Sequence, residues 1–485
     1  MKNQIRRVVI IGAGIAGLAA AIRLAKKGFA VRVLEAGSQP GGKMSEIRKE
    51  GFRFDTGPSL FTLPHLVEEL LEEKLSSKYH KLNLITRYFW EDGTLVNAWA
   101  EADKFALEME HVLGVPASAV HKYLDEARFL YEHTAEMFIF NPVMSLKTLF
   151  SAAGLHALKA LPRLKAFRSM HSYHEQCFSN PKAVQLFDRF ATYNGSDPYK
   201  APATLTMIPH LEHNLGAWFP QGGIYQIAQD LENKAKQLGV SFHHNEAATL
   251  IHFRGKKAYT VQTSSNTYET DLVISDVDIA RVYDHLIPHK PLPMRYINRP
   301  VSSSAIIFYW GIRRTSPMLD VHNILFAEDY RKEFDALANG TLADDLTVYL
   351  FISSKIVKSD APEGCENWFA MINAPYDRGQ NWNELRLKAR NIILSKVQRI
   401  LGMDISKDIL VEDYADPPLI AIKTGSWRGA LYGISSNDPM AAFLRHPNKV
   451  SAFSNVYFVG GSVHPGGGIP LCLASAKIVD KLIKK

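Results

Sequence analysis

The chain has 485 residues, of which 46% are hydrophobic and 22% charged, enough for a large core and too much ordinary globular composition for a disordered or low-complexity protein. Three scattered cysteines, Cys177, Cys365 and Cys472, exclude a disulfide framework or a cysteine zinc site and point to a reducing compartment. A net charge of +7 with no nucleic-acid motif beside it leaves an anionic membrane surface, or no partner at all, as its meaning; no apolar stretch approaches the ~20 residues of a membrane span.

The first predicted element is a short apolar strand from Val8 that runs directly into Gly12, Gly14 and Gly17. In this spacing the first glycine permits a tight turn, the second lets backbone approach a pyrophosphate, and the third lets the next helix pack closely on the sheet. The phosphates would then sit on a helix N-terminus, where free N–H groups and the dipole favour negative charge. The helix carries Leu18, Ile22 and Ala25 on one face and stops at Gly28; Ala30 to Leu34 forms a second strand, and Glu35 ends it where a carboxylate would take ribose hydroxyls. The apolar run before Gly12 is too short for a signal peptide, so the expected location is the cytoplasm. Gly41, Gly42 and Lys43 follow, then Gly51 to Pro58, a second run of small residues able to lie flat against an extended cofactor.

Beyond this unit the pattern predicts a helix over Leu63 to Glu73 and a hairpin over Leu84 to Trp99 turning at Glu91-Asp92-Gly93. A helical stretch runs from Asp103 to about Leu215. Within it Asn141 to His174 holds Lys147, Lys159, Arg163, Lys165 and Arg168 with no acidic residue, and apolar residues recur at helical spacing. That pattern suits a helix lying in a membrane interface and equally a solvated basic face. The pairs His171/His174 and His210/His213 have i, i+3 spacing but no accompanying carboxylate pattern, so they read as surface or satisfied histidines and no metal site is expected.

A helix over Ile224 to Leu238 leads to a strand at Val240 to His244, two or three more between Leu250 and Asp271, and a buried strand at Asp271 to Asp276. The strands Ala305 to Ile312, Thr347 to Ile352 and Trp368 to Asn373 are apolar on both alternating faces, which calls for cover on both sides, by a helix layer or by a tunnel for an oily ligand. Trp382 to Leu401 reads as a helix and Asn455 to Gly460 as a strand. A glycine-rich loop through Gly460, Gly461, Ser462, Gly466, Gly467 and Gly468 then precedes a last helix over Leu471 to Leu482, a second strand-loop-helix suited to phosphate or flavin. No nucleophile elbow, Walker loop, Cys-x-x-Cys or second complete Gly-x-Gly-x-x-Gly is present, and no residue stands out as a catalytic acid or base.

The run Glu35, Gly41, Gly42, Lys43 resembles the N-terminal signature of the flavin-dependent amine oxidase and carotenoid desaturase superfamily, and Phe190 to Ala203, Gly216 to Gly223 and His464 to Pro470 resemble its bacterial carotenoid desaturase branch. The resemblance extends from Val8 to Ile478, and Ala361 to Pro375 looks most like the branch that introduces the 3,4 double bond into hydroxylated acyclic carotenoid ends. It implies an α/β fold: a Rossmann-type FAD-binding domain made of residues 1–80, 216–285 and 450–485, with an interleaved α+β substrate domain over 81–215 and 286–449. It implies FAD held non-covalently by Gly12, Gly14, Ile15, Ala16, Gly17, Glu35, Ala36, Gly41, Gly42, Lys43, Gly57, Pro58, Ser59, Ala248, Gly460, Gly461, Ser462, Gly467, Gly468 and Ile469. One departure stands out: many flavoproteins place an acid just after the last strand to hold the ribityl chain, where this sequence has Gly461 and Ser462. The implied reaction is carotenoid desaturation at the surface of the cytoplasmic membrane, with oxygen or a quinone as electron acceptor. Phytoene desaturation, a non-redox carotene isomerase or cyclase, an amine oxidase and a non-catalytic flavoprotein are the alternatives.

Overall fold

The computed structural model of the chain describes residues 6–142, 154, 157, 159–160, 163–297, 299–438 and 440–484. The apolar strand at the start, Arg7–Ile11, takes the centre of a five-stranded sheet in the order Val456–Phe458, Leu272–Ser275, Arg7–Ile11, Ala30–Leu34, Ser241–His243. Every neighbouring pair is parallel, so the carboxyl ends of the strands share one edge. Val8 and Ile10 pack under the helices Ile15–Lys26, Tyr225–Gln237 and Ile469–Leu482, while Val9 and Ile11 pack under a three-stranded antiparallel sheet, Ala248–Arg254, Lys257–Thr263 and Thr267–Glu269. Cover on both faces is what near-continuous Val, Ile and Leu strands require.

The first helix ends as its sequence predicts: Gly28 follows at φ +85° and donates its N–H to the Ala25 carbonyl at 2.8 Å. The last helix begins at Ile469, two residues before the expected Leu471, and has Pro470 in its first turn. Proline fits there because first-turn N–H groups have no acceptor within the helix.

A second sheet has seven strands in the order Ile409–Ala415, Ser304–Ile312, Glu366–Ala374, Val348–Phe351, His322–Leu325, Leu84–Phe89, Leu95–Trp99. The expected hairpin closes at Gly93, φ +84°, and its two strands form one edge of this sheet. Ile306, Phe308, Trp310 and Trp368 face the helix Trp382–Leu401 through Ala389, Ile393 and Val397; on the opposite face Ile307, Tyr309, Phe351 and Phe369 join Phe52, Phe54, Phe61 and Phe219. One face of the apolar sheet is thus covered by helix and the other is turned toward the parallel sheet's loops. Beyond the hairpin edge lies a helical lobe, Ala102–Leu113, Ala117–Phe138, Met170–Cys177, Pro181–Asp188 and Ile208–His213. Part of the basic stretch, 143–153 and much of 155–162, lies outside the described residues.

Candidate functional site

Because the five strands are parallel, four sequence motifs meet on one edge. The ladder continues past the strand ends: Gly12 N–H donates to the Leu34 carbonyl (2.8 Å), Asp276 N–H to that of Ile11 (2.9 Å), Val459 N–H to that of Ser275 (2.9 Å), and Glu35 N–H to that of His243 (2.9 Å). The glycine loop, Glu35, Asp276 and Gly460 are therefore neighbours. Gly14 precedes Ile15 and Ala16, the start of the first helix, and Gly468 precedes Ile469, the start of the last one; neither N-cap residue has a side chain to cap with. A helix N-terminus opened by glycine offers its free N–H groups to an anionic group.

The glycines are required by close approach. A Cβ on Gly17 would strike the Gly12 carbonyl, one on Gly41 the Met44 carbonyl, and one on Gly14 or Gly460 the Asp276 carboxylate. Gly42 lies across from Gly14, its added Cβ 3.4 Å from the Gly14 Cα. Glu35 reaches back into the loop, accepting the Ala13 N–H at 2.7 Å and the Gly37 N–H at 2.7 Å. Exposed Ala36 follows it, and the chain leading to Ala248 runs alongside, with Asn245 N–H donating to Gly37 and Glu246 N–H to Glu35. Ala248 packs at the cluster that contains Leu34.

Asp276 is the residue the sequence reading left as a strand end. Its Oδ2 accepts the Gly17 N–H at 2.9 Å, and its other oxygen borders Gly460. Where the last strand is followed by Gly460 and Gly461, the neighbouring strand is followed by this acid. Burial pushes this carboxyl up to about 7, with Glu35 adding to the shift and the Gly17 N–H and Lys43 opposing it. Ser462 turns inward, its Oγ accepting the Ile279 N–H at 2.9 Å, and Gly461 lies against Gly467. Lys43 Nζ donates to the Leu431 carbonyl at 2.6 Å, tying the Gly41-Gly42 loop to the segment that carries Tyr432.

Between the two sheets the strand Phe52–Asp55 delivers Gly57, Pro58 and Ser59. Buried Arg53 fixes it through Asp55 (2.8 Å), Asp360 (3.2 Å) and Glu46 (2.6 Å), and Asp55 in turn accepts the N–H groups of Ile224 (3.1 Å) and Tyr225 (3.0 Å) at a helix start. Tyr309 Oη donates to the Thr56 carbonyl at 3.2 Å, and Ser59 Oγ shares a 2.6 Å hydrogen bond with Tyr349 Oη. Opposite, Tyr432 is wedged between the two motifs that resemble the desaturases: a Cβ on Gly195 would come 2.9 Å from its ring and one on Gly467 2.9 Å from its Cα.

The same sheet face carries a chain of buried and half-buried polar groups. Tyr349 Oη lies 2.8 Å from His322 Nδ1; farther along, Arg189 donates to Tyr88 Oη at 2.7 Å and Tyr193 Oη at 3.3 Å, and Tyr193 bonds Glu212. None of these residues stood out in the sequence, because they come from separate segments with no common spacing. The paired histidines do not assemble into a site. His171 and His174 share Asp188 at 2.6 and 2.7 Å, His210 bonds Asn214 at 2.7 Å, and His213 stacks on Phe105 at 4.4 Å.

The pattern of the flavin-containing amine oxidoreductases runs through residues 15–479. The chain belongs to this family, in its carotenoid desaturase branch. It is 45% identical, over 99% of both chains, to a 1-hydroxycarotenoid 3,4-desaturase from a Flavobacterium species, and 30% identical, over 99% of both, to a 4,4'-diapolycopene oxygenase from a Methylomonas species. The fold matches an oxidoreductase from Methanosarcina mazei with a TM-score of 0.63 at 14% identity, over 98% of this chain and 100% of the other. The desaturase is a FAD-dependent oxidoreductase, and the cradle fits the cofactor: two helix ends opened by glycine for the pyrophosphate, glycines where a Cβ would collide, and Glu35 at the ribose end. FAD, when bound, supplies the hydride acceptor. The residues around it contribute alignment and a dry, aromatic wall from Phe351, Phe369 and Tyr309.

Proposed function

We propose that the chain inserts the 3,4 double bond into a carotenoid that carries a 1-hydroxyl group. The observation that carries this reading is the 45% identity, end to end, with the 1-hydroxycarotenoid 3,4-desaturase. Two hydrogens leave adjacent carbons, one with its electron pair to the flavin and the other as a proton, and the electrons pass on to oxygen or a quinone. FAD is held by Gly12, Gly14, Ile15, Ala16, Gly17, Glu35, Ala36, Gly41, Gly42, Lys43, Gly57, Pro58, Ser59, Ala248, Gly460, Gly461, Ser462, Gly467, Gly468 and Ile469, within a discontinuous domain of residues 1–80, 216–285 and 450–485; residues 81–215 and 286–449 form the substrate domain.

The test is expression in cells that make a 1-hydroxylated acyclic carotenoid and, separately, in cells that make phytoene. The expected product of the first is a red-shifted pigment with two fewer hydrogens; phytoene should accumulate unchanged. Coloured products from phytoene would replace the reading with phytoene desaturation, an isomer of unchanged mass would replace it with a non-redox enzyme, and an oxygen-bearing product would favour the second relative's activity.

An oily substrate has negligible aqueous concentration, so the enzyme collects it from a bilayer; peripheral attachment to the cytoplasmic membrane is part of the proposal. No helix among the described residues is long and apolar enough to cross a membrane. Support comes from Phe167, 95% exposed beside Lys165 and Arg168, an apolar side chain among cations. Liposome sedimentation is the measurement that decides it.

A further inference from the structure

His322 opens the four-residue strand His322–Leu325 at the junction of the aromatic sheet face and the helical lobe, and it is 3% exposed. Its ring lies on Phe351, 5.2 Å between centroids and 16° from parallel, which fixes the imidazole plane. Nδ1 is held by Tyr349 Oη at 2.8 Å, and that hydroxyl is held by Ser59 Oγ at 2.6 Å. Nε2 is buried and has no hydrogen-bond partner among the described residues. A buried polar atom left unpaired is destabilising, so a site that keeps one is completed by water or by a ligand.

The ligand's chemistry follows from the ring's state. Burial, reinforced by the charge of Arg189, lowers the imidazole to about 3, so it is neutral at any working pH. A neutral ring offers at Nε2 either a donor or an acceptor, depending on whether Tyr349 gives or takes the proton at Nδ1. A hydroxyl serves in both cases, because it donates and accepts. A carboxylate serves only the first and an ammonium only the second.

Position points the same way. In a 1-hydroxylated substrate desaturated at carbons 3 and 4, the hydroxyl is two carbons from the reacting bond. A group that receives it must therefore stand beside the cofactor's ring system and not at the distant end of a tunnel. Ser59, the other end of the chain, belongs to the Gly57-Pro58-Ser59 turn that the flavin reading puts against the cofactor, and the strand pairing places Tyr349 and Phe351 on the sheet face next to that turn.

Resting on the desaturase reading above, we propose that His322, positioned by Tyr349 and Ser59, receives the substrate's 1-hydroxyl and so determines specificity for hydroxylated chain ends. A site built to hydrogen-bond a hydroxyl rejects the analogue lacking it, since the analogue would leave Nε2 buried and unpaired.

The experiment compares FAD-loaded wild type with His322→Leu, His322→Gln and Tyr349→Phe, using a 1-hydroxycarotenoid and the same carotenoid without the hydroxyl, with flavin content read from absorbance. Wild type should prefer the hydroxylated substrate by at least about 100-fold in kcat/KM. With flavin content retained, His322→Leu should shrink that preference at least tenfold, His322→Gln should restore part of it through its amide, and Tyr349→Phe should fall between wild type and His322→Leu. A His322→Leu protein that keeps the full preference, or that loses both substrates in equal proportion, overturns the subsite while leaving the desaturase reading intact. A wild type that leaves the hydroxycarotenoid unreacted overturns the desaturase reading, and the subsite with it. If His322→Leu purifies without flavin, Tyr349→Phe decides, an unchanged preference there overturning the subsite.

Discussion

The phosphate edge of the parallel sheet and the aromatic face of the seven-stranded sheet meet around one cofactor but are built by different means. At the phosphate edge the working groups are backbone amides, and side chains are removed to expose them: Gly12, Gly14, Gly17, Gly41 and Gly460. On the aromatic face the working groups are side chains, Ser59, Tyr349, His322, Tyr432 and Arg189, brought from distant segments, with His322 and Arg189 buried and the other three half-buried. The difference is that a backbone site tolerates no added atoms, whereas a side-chain site tolerates substitution at a cost in selectivity.

The harshest way to probe the contrast is Gly14→Val. Its Cβ would collide with the Asp276 carboxylate, and the branched side chain would fill the space over the uncapped helix. The variant should purify colourless; normal flavin absorbance and affinity would place the pyrophosphate elsewhere.

A milder probe is an acid at the backbone site. Asp276 is pushed up to about 7 when folded, against about 3.9 for an ordinary aspartate. Between these values the folded protein keeps a proton that the unfolded chain has released, so stability conferred below pH ~4 is lost as pH rises and levels off above about 7. Asp276→Asn removes that slope, so the variant should gain on wild type in Tm between pH 5 and pH 8. A pyrophosphate at the adjacent amides repels the ionised form, so wild-type FAD affinity should weaken above pH 7 while that of Asp276→Asn stays level, by about tenfold at pH 8. Fluorescence titration at pH 6 and pH 8 reads this, and parallel curves for the two proteins would refute it.

The smallest effect belongs outside both regions. Replacing Lys159, Arg163, Lys165 and Arg168 with Gln should reduce binding to anionic liposomes by severalfold and flatten its salt dependence, with the preference between dissolved substrates unaltered. Arg163 and Lys165 already lie near Glu126, at 3.8 and 3.6 Å, which limits what their removal can do. Unchanged partitioning would make this an ordinary solvated face.

How far each region is legible in sequence follows from the same contrast. The strand Ala30–Leu34, the helix stop at Gly28 and the acid Glu35 sit at fixed local offsets, because one βαβ turn dictates them. Asp276 was visible only as the end of an apolar strand. Its role depends on Leu272–Ser275 pairing in parallel with Arg7–Ile11, a register no local pattern encodes. His322–Leu325, with two polar residues among four, has no alternation to mark it as a strand, and so the residue proposed to choose the substrate was passed over. The apolar strands did announce cover on both faces, but helix and tunnel demand the same composition; only the packing of Trp382–Leu401 under Trp310 and Trp368 assigns the helix to one side.

The central and outermost strands of the parallel sheet also set a schedule. The chain's first strand waits for a neighbour made at residues 272–275, which in turn waits for its edge partner made at 456–458, and the second flavin loop follows only at Gly460. At about 5–20 residues per second, tens of seconds of synthesis separate the two halves of the cradle. The nascent chain therefore leaves the ribosome with its glycine loop unfinished, and flavin capture is a post-translational event that competes with aggregation of the waiting strands. Flavin supply during expression should accordingly govern the yield of soluble protein as well as its colour.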